Sequence, residues 1–127
     1  MNTTEQFEYV IAICRSLFEK KMKDYGASWR IMRPESITDQ IFIKAKRIRS
    51  LETKGISKIE EGIYSEFIAI VNYGVIGQIQ LELGCSDVID VANEKALNLY
   101  DKHLNATKEL MYAKNQEPYT FLQNLAL

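Results

Sequence analysis

The sequence predicts an all-α fold, most simply a four-helix bundle. Apolar residues recur at steps of three and four over long segments, which is the periodicity of amphipathic helices. Only two prolines interrupt the 127 residues, and no pair of alternating segments joined by a hairpin signal appears. The helices are expected near residues 4–24, 37–53, 63–83 and 87–115.

The first helix is expected over residues 4–24, because its apolar residues form one broad face. Gly26 follows that face and is a suitable residue to end the helix. The face consists of Phe7, Val10, Ile11, Cys14, Leu17, Phe18 and Met22.

The second helix is expected over residues 37–53, with Ser36 as its N-cap. Its apolar stripe also advances in steps of three and four, but one member is charged. The stripe consists of Ile37, Ile41, Lys44, Ile48 and Leu51.

The third and fourth helices complete the bundle. Residues 63–83 are apolar around most of the circumference, which indicates a central buried helix. Gly74 and Gly77 are expected to let another helix approach this one closely. The fourth helix is expected over residues 87–115, with Ser86 as its cap.

Composition and charge restrict the class of protein. A net charge of −1 argues against binding duplex nucleic acid through a broad basic surface, although a local basic cluster could hold one phosphorylated ligand. The N-terminus lacks the pattern of a signal peptide. The most apolar segment, residues 63–83, contains too many polar residues for a lipid-facing span. We therefore expect a cytoplasmic protein that does not enter the membrane.

Lys44 is the most informative single position. It lies midway along the apolar stripe of the second helix, and Arg47 follows it by one turn. A buried ammonium must find a partner or lose its proton. Lys44 could extend past the core or pair with a carboxylate of a neighbouring helix; alternatively, Lys44 and Arg47 could contact a phosphate or a nucleotide.

The end of the first helix combines charges with aromatic rings. Lys21 and Asp24 lie three residues apart, and Tyr25 and Trp29 follow. Aromatic side chains beside charges can stack on a base. The only tryptophan could equally close the end of the bundle.

Acidic residues gather at Glu60, Glu61 and Glu66. Helical nucleotide pyrophosphohydrolases bind magnesium with pairs of carboxylates three or four residues apart. Glu66 has no acidic partner at that spacing, and Glu60 and Glu61 suit the start of a helix. The residues therefore leave the cofactor open; if it is magnesium, the candidate ligands are Glu61 and Glu66.

Several strings together resemble a known family. The elements K-x-x-DYG-x-SW, IK-x-x-RI and NY lie within residues 14–83, which resemble the nucleotide modification associated domain 1 family of bacteria and phages. That family has no established activity and a predicted nucleotide-related role. The resemblance implies that the family's matching positions are site residues: Lys21, Asp24, Tyr25, Gly26, Lys44, Arg47, Glu61, Glu66, Asn72 and Tyr73.

The same resemblance bears on domain organisation. Members of the family look like two tandem copies, and "LMYAKNQEPY" weakly repeats "LFEKKMKDY". Residues 1–84 are expected to form the family-like helical domain. Residues 85–127 would then be the fourth helix and a truncated start of a second copy.

Three functions are compatible with the sequence. The first is a nucleotide-binding or nucleotide-processing domain in which Lys44 and Arg47 hold phosphate, Tyr25 or Trp29 stacks on the base, and Asp24 with Glu66 supplies acid–base or metal groups. The second is magnesium-dependent pyrophosphohydrolysis of nucleoside triphosphates, which rests on the all-α pattern and on Glu60, Glu61 and Glu66. The family is distantly similar to the all-α MazG-type enzymes, although this sequence lacks their repeated acidic pairs. The third is a non-catalytic helical module that dimerises with a second copy of itself.

Overall fold

The computed structural model describes residues 2–55 and 59–115, and within residues 59–61 it describes the backbone only. These residues form helices and connections without any strand, which confirms the all-α prediction. A short 3₁₀ turn, Ser28–Ile31, lies between the first two helices. The four helices are α1 (Thr3–Tyr25), α2 (Pro34–Lys54), α3 (Ile59–Leu83) and α4 (Asn93–Asn115).

Glycine ends α1, as the sequence predicts. Gly26 has φ 63° and ψ −165°, and its N–H donates to the carbonyl of Met22. This backbone region is essentially restricted to glycine, because a Cβ would clash there. The residue therefore allows the chain to leave α1 sharply and enter the 3₁₀ turn.

The predicted starts of α2, α3 and α4 were wrong; α3 begins at Ile59 rather than at residue 63. α2 begins at Pro34 with Arg33 as its N-cap, so Ser36 lies inside the helix. Proline suits the first helical position, where its missing N–H would have had no partner.

α4 begins six residues later than predicted, at Asn93 rather than residue 87. Ser86 lies too far before Asn93 to cap the helix, and its N–H donates to the Arg30 carbonyl at 3.0 Å. Asp90 meets the Arg30 guanidinium at 2.8 Å. These contacts hold residues 84–92 against the 3₁₀ turn as an irregular connection.

The core forms where α3 packs against the other three helices. Phe18 of α1 stacks on Tyr100 of α4 with ring centroids 4.5 Å apart, and Ile79 of α3 is fully buried. Gly77 faces α2: a Cβ built there would lie 3.5 Å from Ile37, an ordinary contact, whereas Gly74 has open space. The predicted close approach is therefore limited to Gly77, and even there it does not require glycine.

α4 runs antiparallel to α1 and shares its core. Arg15 forms a two-pronged pair with Asp101, with N–O distances of 2.7 and 3.0 Å. Asn93 donates to the carbonyl of Met22, seven residues further along α1. Residues of α1, α3 and α4 belong to one core. The division of the chain near residue 84 stays a prediction, and residues 116–127 of the expected second copy lie outside the described residues.

No helix in residues 2–55 and 59–115 has both the length and the hydropathy that crossing a bilayer requires.

Candidate functional site: a cleft between α1, α2 and α3

A cleft of about 310 Å³ opens where the end of α1 and the middle of α2 both face α3. α1 and α2 each pack on α3 but make little contact with each other. The gap between them is closed at one end by the 3₁₀ turn, which carries Trp29. Three helices and this turn thus supply the walls.

The walls divide into an apolar floor and a polar lining. The floor consists of Leu17, Phe18, Met22, Met32, Ala69 and Ile76, together with the Trp29 ring and Gly26. The polar lining consists of Lys21, Tyr25, Ser28, Lys44, Asn72 and Tyr73. Five of the eight residues proposed as catalytic or ligand-binding from the sequence line this one cleft: Lys21, Tyr25, Trp29, Lys44 and Asn72.

The structure shows Lys44 in an ion pair with a neighbouring helix and also at the cleft, so its contact with a phosphate stays a prediction. Its side chain lines the cleft, and its Nζ also lies 3.4 Å from Oε2 of Glu66 on α3. Arg47 approaches the other oxygen of the same carboxylate at 3.2 Å. Neither contact has hydrogen-bond geometry, and Oε2 is buried without a hydrogen-bond partner among the described residues. The three side chains form one group in which a buried carboxylate lies between two cations.

Glu66 and Asp24 are not brought together in the cleft. Glu66 contacts Lys44, has a side chain that is one-tenth exposed, and does not line the cleft. Asp24 is exposed at the end of α1 and does not line the cleft either. Arg47, two-thirds exposed, also lies outside the lining. The catalytic roles of Asp24 and Glu66 stay predictions.

The predicted magnesium site is not assembled from the side chains that the structure describes. These contain no group of three or more His, Cys, Asp and Glu side chains that could hold a metal ion. The side chain of Glu61 lies outside the described residues, so its pairing with Glu66 stays a prediction.

Asn72 combines a place in the cleft wall with a structural role. Its Nδ2 donates to the carbonyl of Cys14 at 3.0 Å, and its Oδ1 accepts from the Tyr100 hydroxyl at 2.8 Å. Burial raises the pKa of that hydroxyl above its ordinary value, so Tyr100 remains a donor at neutral pH. Both ends of the Asn72 amide are therefore engaged in joining α1, α3 and α4.

Trp29 is similarly fixed in place. It is 8% exposed, its Nε1 donates to the Met22 sulfur at 3.4 Å, and its ring lies 6.3 Å from that of Phe18. The prediction that Trp29 closes one end of the bundle fits this packing. Tyr25, by contrast, is 69% exposed at the rim of the cleft.

A buried polar network, which sequence reasoning missed, holds the 3₁₀ turn in position. Gln80 is fully buried on α3, and its Nε2 lies within 2.7–3.1 Å of the carbonyls of Trp29, Arg30 and Met32. The Arg30 guanidinium donates to the Gln80 side chain and to Asp90. The hydrogen bond from Arg30 to Asp90 lowers the pKa of the Asp90 carboxyl. The one available signal was a glutamine in the most apolar helix of the chain.

A second groove follows the surface of α1 and includes Tyr9, Ile13 and Lys20. Tyr9 and Ile13 are exposed apolar residues, which is compatible with contact to a second copy. The homodimer stays a prediction, and Lys20 serves below as a matched control for Lys21.

Comparison with known families bears on the same part of the chain. No curated protein and no solved structure matches the chain significantly. A family model described as nucleotide modification associated domain 1 matches residues 21–81. This segment contains every cleft residue except Leu17 and Phe18. The resemblance noted in the sequence is thus confirmed over residues 21–81, which match the nucleotide modification associated domain 1 family.

Proposed function

We propose that the cleft binds a nucleotide or a nucleotide derivative. The observation that carries the proposal is the combination of two lysines with aromatic side chains above an apolar floor. A nucleotide presents a matching combination, because it joins an anionic phosphate to a flat base. The family matched by residues 21–81 is described as associated with nucleotide modification, which supports the same class of ligand.

Each part of the ligand has a suitable wall. Lys21 comes from α1 and Lys44 from α2, so a phosphate between them would meet a cation from two different helices. Tyr25 is the better candidate for stacking on the base, because its exposed ring can rotate onto a ligand, whereas the Trp29 ring is held by Met22 and Phe18. Trp29 instead supplies a fixed part of the apolar floor.

The size of the cleft favours one nucleotide unit. Ligand pockets in proteins range over roughly 300–1,000 Å³, and this cleft, at about 310 Å³, lies at the small end. A base, a sugar and a phosphate suit that space better than a dinucleotide does.

Thermal denaturation in the presence of nucleotides tests the proposal. A ligand at 100 times its Kd stabilises the folded state by about 2.7 kcal/mol, which for a domain of this size raises Tm by several degrees. We expect at least one common nucleotide to do so. A folded protein that no nucleotide stabilises at millimolar concentration would contradict the proposal.

A matched pair of variants locates the site. Lys21→Met removes a charge from the cleft, whereas Lys20→Met removes the same charge from the neighbouring groove on α1. We expect Lys21→Met to weaken nucleotide binding about tenfold, near the lower limit for a hydrogen bond to a charged group. Lys20→Met should leave the affinity unchanged. Equal losses in the two variants would place binding elsewhere.

A further inference from the structure

We propose that the ligand is a nucleoside monophosphate, held through its phosphate dianion without a metal ion. This inference rests on the proposed function and specifies the substrate class of the same cleft. It follows from the number and the arrangement of charges in and directly behind the cleft wall.

The cleft itself is cationic. Lys21 and Lys44 are its only residues with a full charge at neutral pH, and no carboxylate is among its lining residues in the described part of the chain. A ligand that enters this space therefore meets positive charge on two walls and no repulsion from an acidic side chain.

Glu66 limits how much positive charge the cleft presents. Its carboxylate lies within 3.4 Å of Lys44 and 3.2 Å of Arg47, so one negative charge is shared by two cations. Lys21, Lys44, Arg47 and Glu66 together carry a net formal charge of +2. Glu66 is nine-tenths buried, whereas Arg47 is two-thirds exposed. Water therefore screens the charge of Glu66 less than it screens the charge of Arg47.

A phosphate monoester balances this charge. It carries about −1.5 to −2 at pH 7, which matches the net charge of the four side chains. A triphosphate carries more charge and is ordinarily bound together with Mg²⁺, which is held by carboxylates and substrate phosphates. The described cleft lining supplies no carboxylate for such an ion, so the geometry favours a single phosphate over a metal-bound chain of three.

Calorimetric titration of the wild-type chain with one ligand series tests the inference. For each of the four common bases, the series contains the nucleoside and its 5′-mono-, di- and triphosphates, each measured with MgCl₂ and with EDTA. We expect the monophosphate of the preferred base to bind at least about tenfold tighter than its nucleoside. EDTA should not change its Kd, and the triphosphate should bind no tighter.

The outcomes separate the two levels of the proposal. If no member of any series binds, the proposed function itself fails. If the triphosphate with Mg²⁺ binds tighter than the monophosphate, or releases pyrophosphate, nucleotide binding stands and the monophosphate inference is overturned. A nucleoside that binds as tightly as its monophosphate would also overturn it.

A charge-neutralising variant checks the reasoning independently. Glu66→Gln keeps the shape of the side chain and raises the net charge of the group by one, so the preference for the monophosphate over the diphosphate should fall at least about threefold. Glu82→Gln removes a carboxylate of the same helix that pairs with Lys102 and His103 away from the cleft, and should leave the ratio unchanged. An unchanged ratio in folded Glu66→Gln would overturn the charge argument. The wild-type series decides the inference if that variant does not fold.

Discussion

Replacing Lys44 by methionine should affect both the stability of the fold and the binding of the ligand. Methionine keeps much of the apolar stem and removes the ammonium. In the folded protein this leaves Glu66, which is nine-tenths buried, with Arg47 as its only described cationic partner. In the cleft it removes one of the two lysines.

The size of each effect follows from the geometry. Removing one partner of a fully buried ion pair costs about 3–5 kcal/mol. Lys44 is one-quarter exposed, and Arg47 remains 3.2 Å from the carboxylate, so we expect a smaller loss of roughly 1–2 kcal/mol. The loss of a contact to a charged phosphate should weaken binding by about 1.5–3 kcal/mol, or roughly 10–150-fold.

Urea denaturation measures the first effect and calorimetric titration with a nucleotide measures the second. Arg47→Met is the matched control, because Arg47 shares the same carboxylate but lies outside the cleft and is two-thirds exposed. It should cost less than about 1 kcal/mol of stability. It should weaken binding by no more than about threefold, because Arg47 contributes to the net charge of the group but does not line the cleft. If folded Lys44→Met binds nucleotide as tightly as the wild type does, Lys44 is only half of a structural ion pair and its role as a ligand contact is wrong.

Three further predictions concern the framework around the cleft. Gln80→Leu should destabilise the fold by at least about 2 kcal/mol in urea denaturation, because buried backbone carbonyls lose their donor; a loss within 0.5 kcal/mol, the rough limit for a surface change, would contradict the network. Gly26→Ala should lower the free energy of unfolding by about 1–3 kcal/mol because Gly26 has a positive φ. Gly74→Ala, in the middle of α3 with open space around it, should raise the free energy of unfolding by roughly 0.5–1 kcal/mol; a change of the same sign in both variants would refute the backbone argument. Because burial raises the pKa of Tyr100 in the folded state, its contribution to stability is complete below the unfolded pKa of about 10 and is lost as pH rises further. Tyr100→Phe should therefore reduce the fall in stability above pH 10, and it should also lower stability at neutral pH because Asn72 loses a donor; identical pH profiles would show that Tyr100 does not control the alkaline limb.

The fold class and part of the cleft could be predicted because they depend on local patterns. Helical periodicity located the four helices, and the lysine inside an apolar stripe drew attention to Lys44. Matching to family positions added Asn72 and Tyr73, which do line the cleft. These signals lie within single helices, where neighbours three or four residues apart share a face.

The remaining features depend on partners that are distant in the sequence. Arg30 and Gln80 are 50 residues apart in the sequence, and only the folded structure shows that the Arg30 guanidinium donates a hydrogen bond to the Gln80 side chain. The same arginine holds residues 84–92 in a connection, so the serine that resembled a helix cap at residue 86 instead contacts the turn. Glu66 was expected to be catalytic or to bind metal, and no pattern within α3 indicated that two cations of α2 would lie against it.

The fluorescence of Trp29 tests the central claim most directly, because this is the only tryptophan of the chain and it lines the cleft. A titration with the nucleotide, excited at the red edge of tryptophan absorption where bases absorb least, reports changes in the environment of this ring, and the lysine variants then locate the binding site. We expect a saturable change in emission that Lys20→Met retains and that Lys21→Met and Lys44→Met shift to higher ligand concentration. Nucleotide binding that calorimetry detects but that leaves Trp29 emission unchanged, or that the two cleft variants do not weaken, would contradict it.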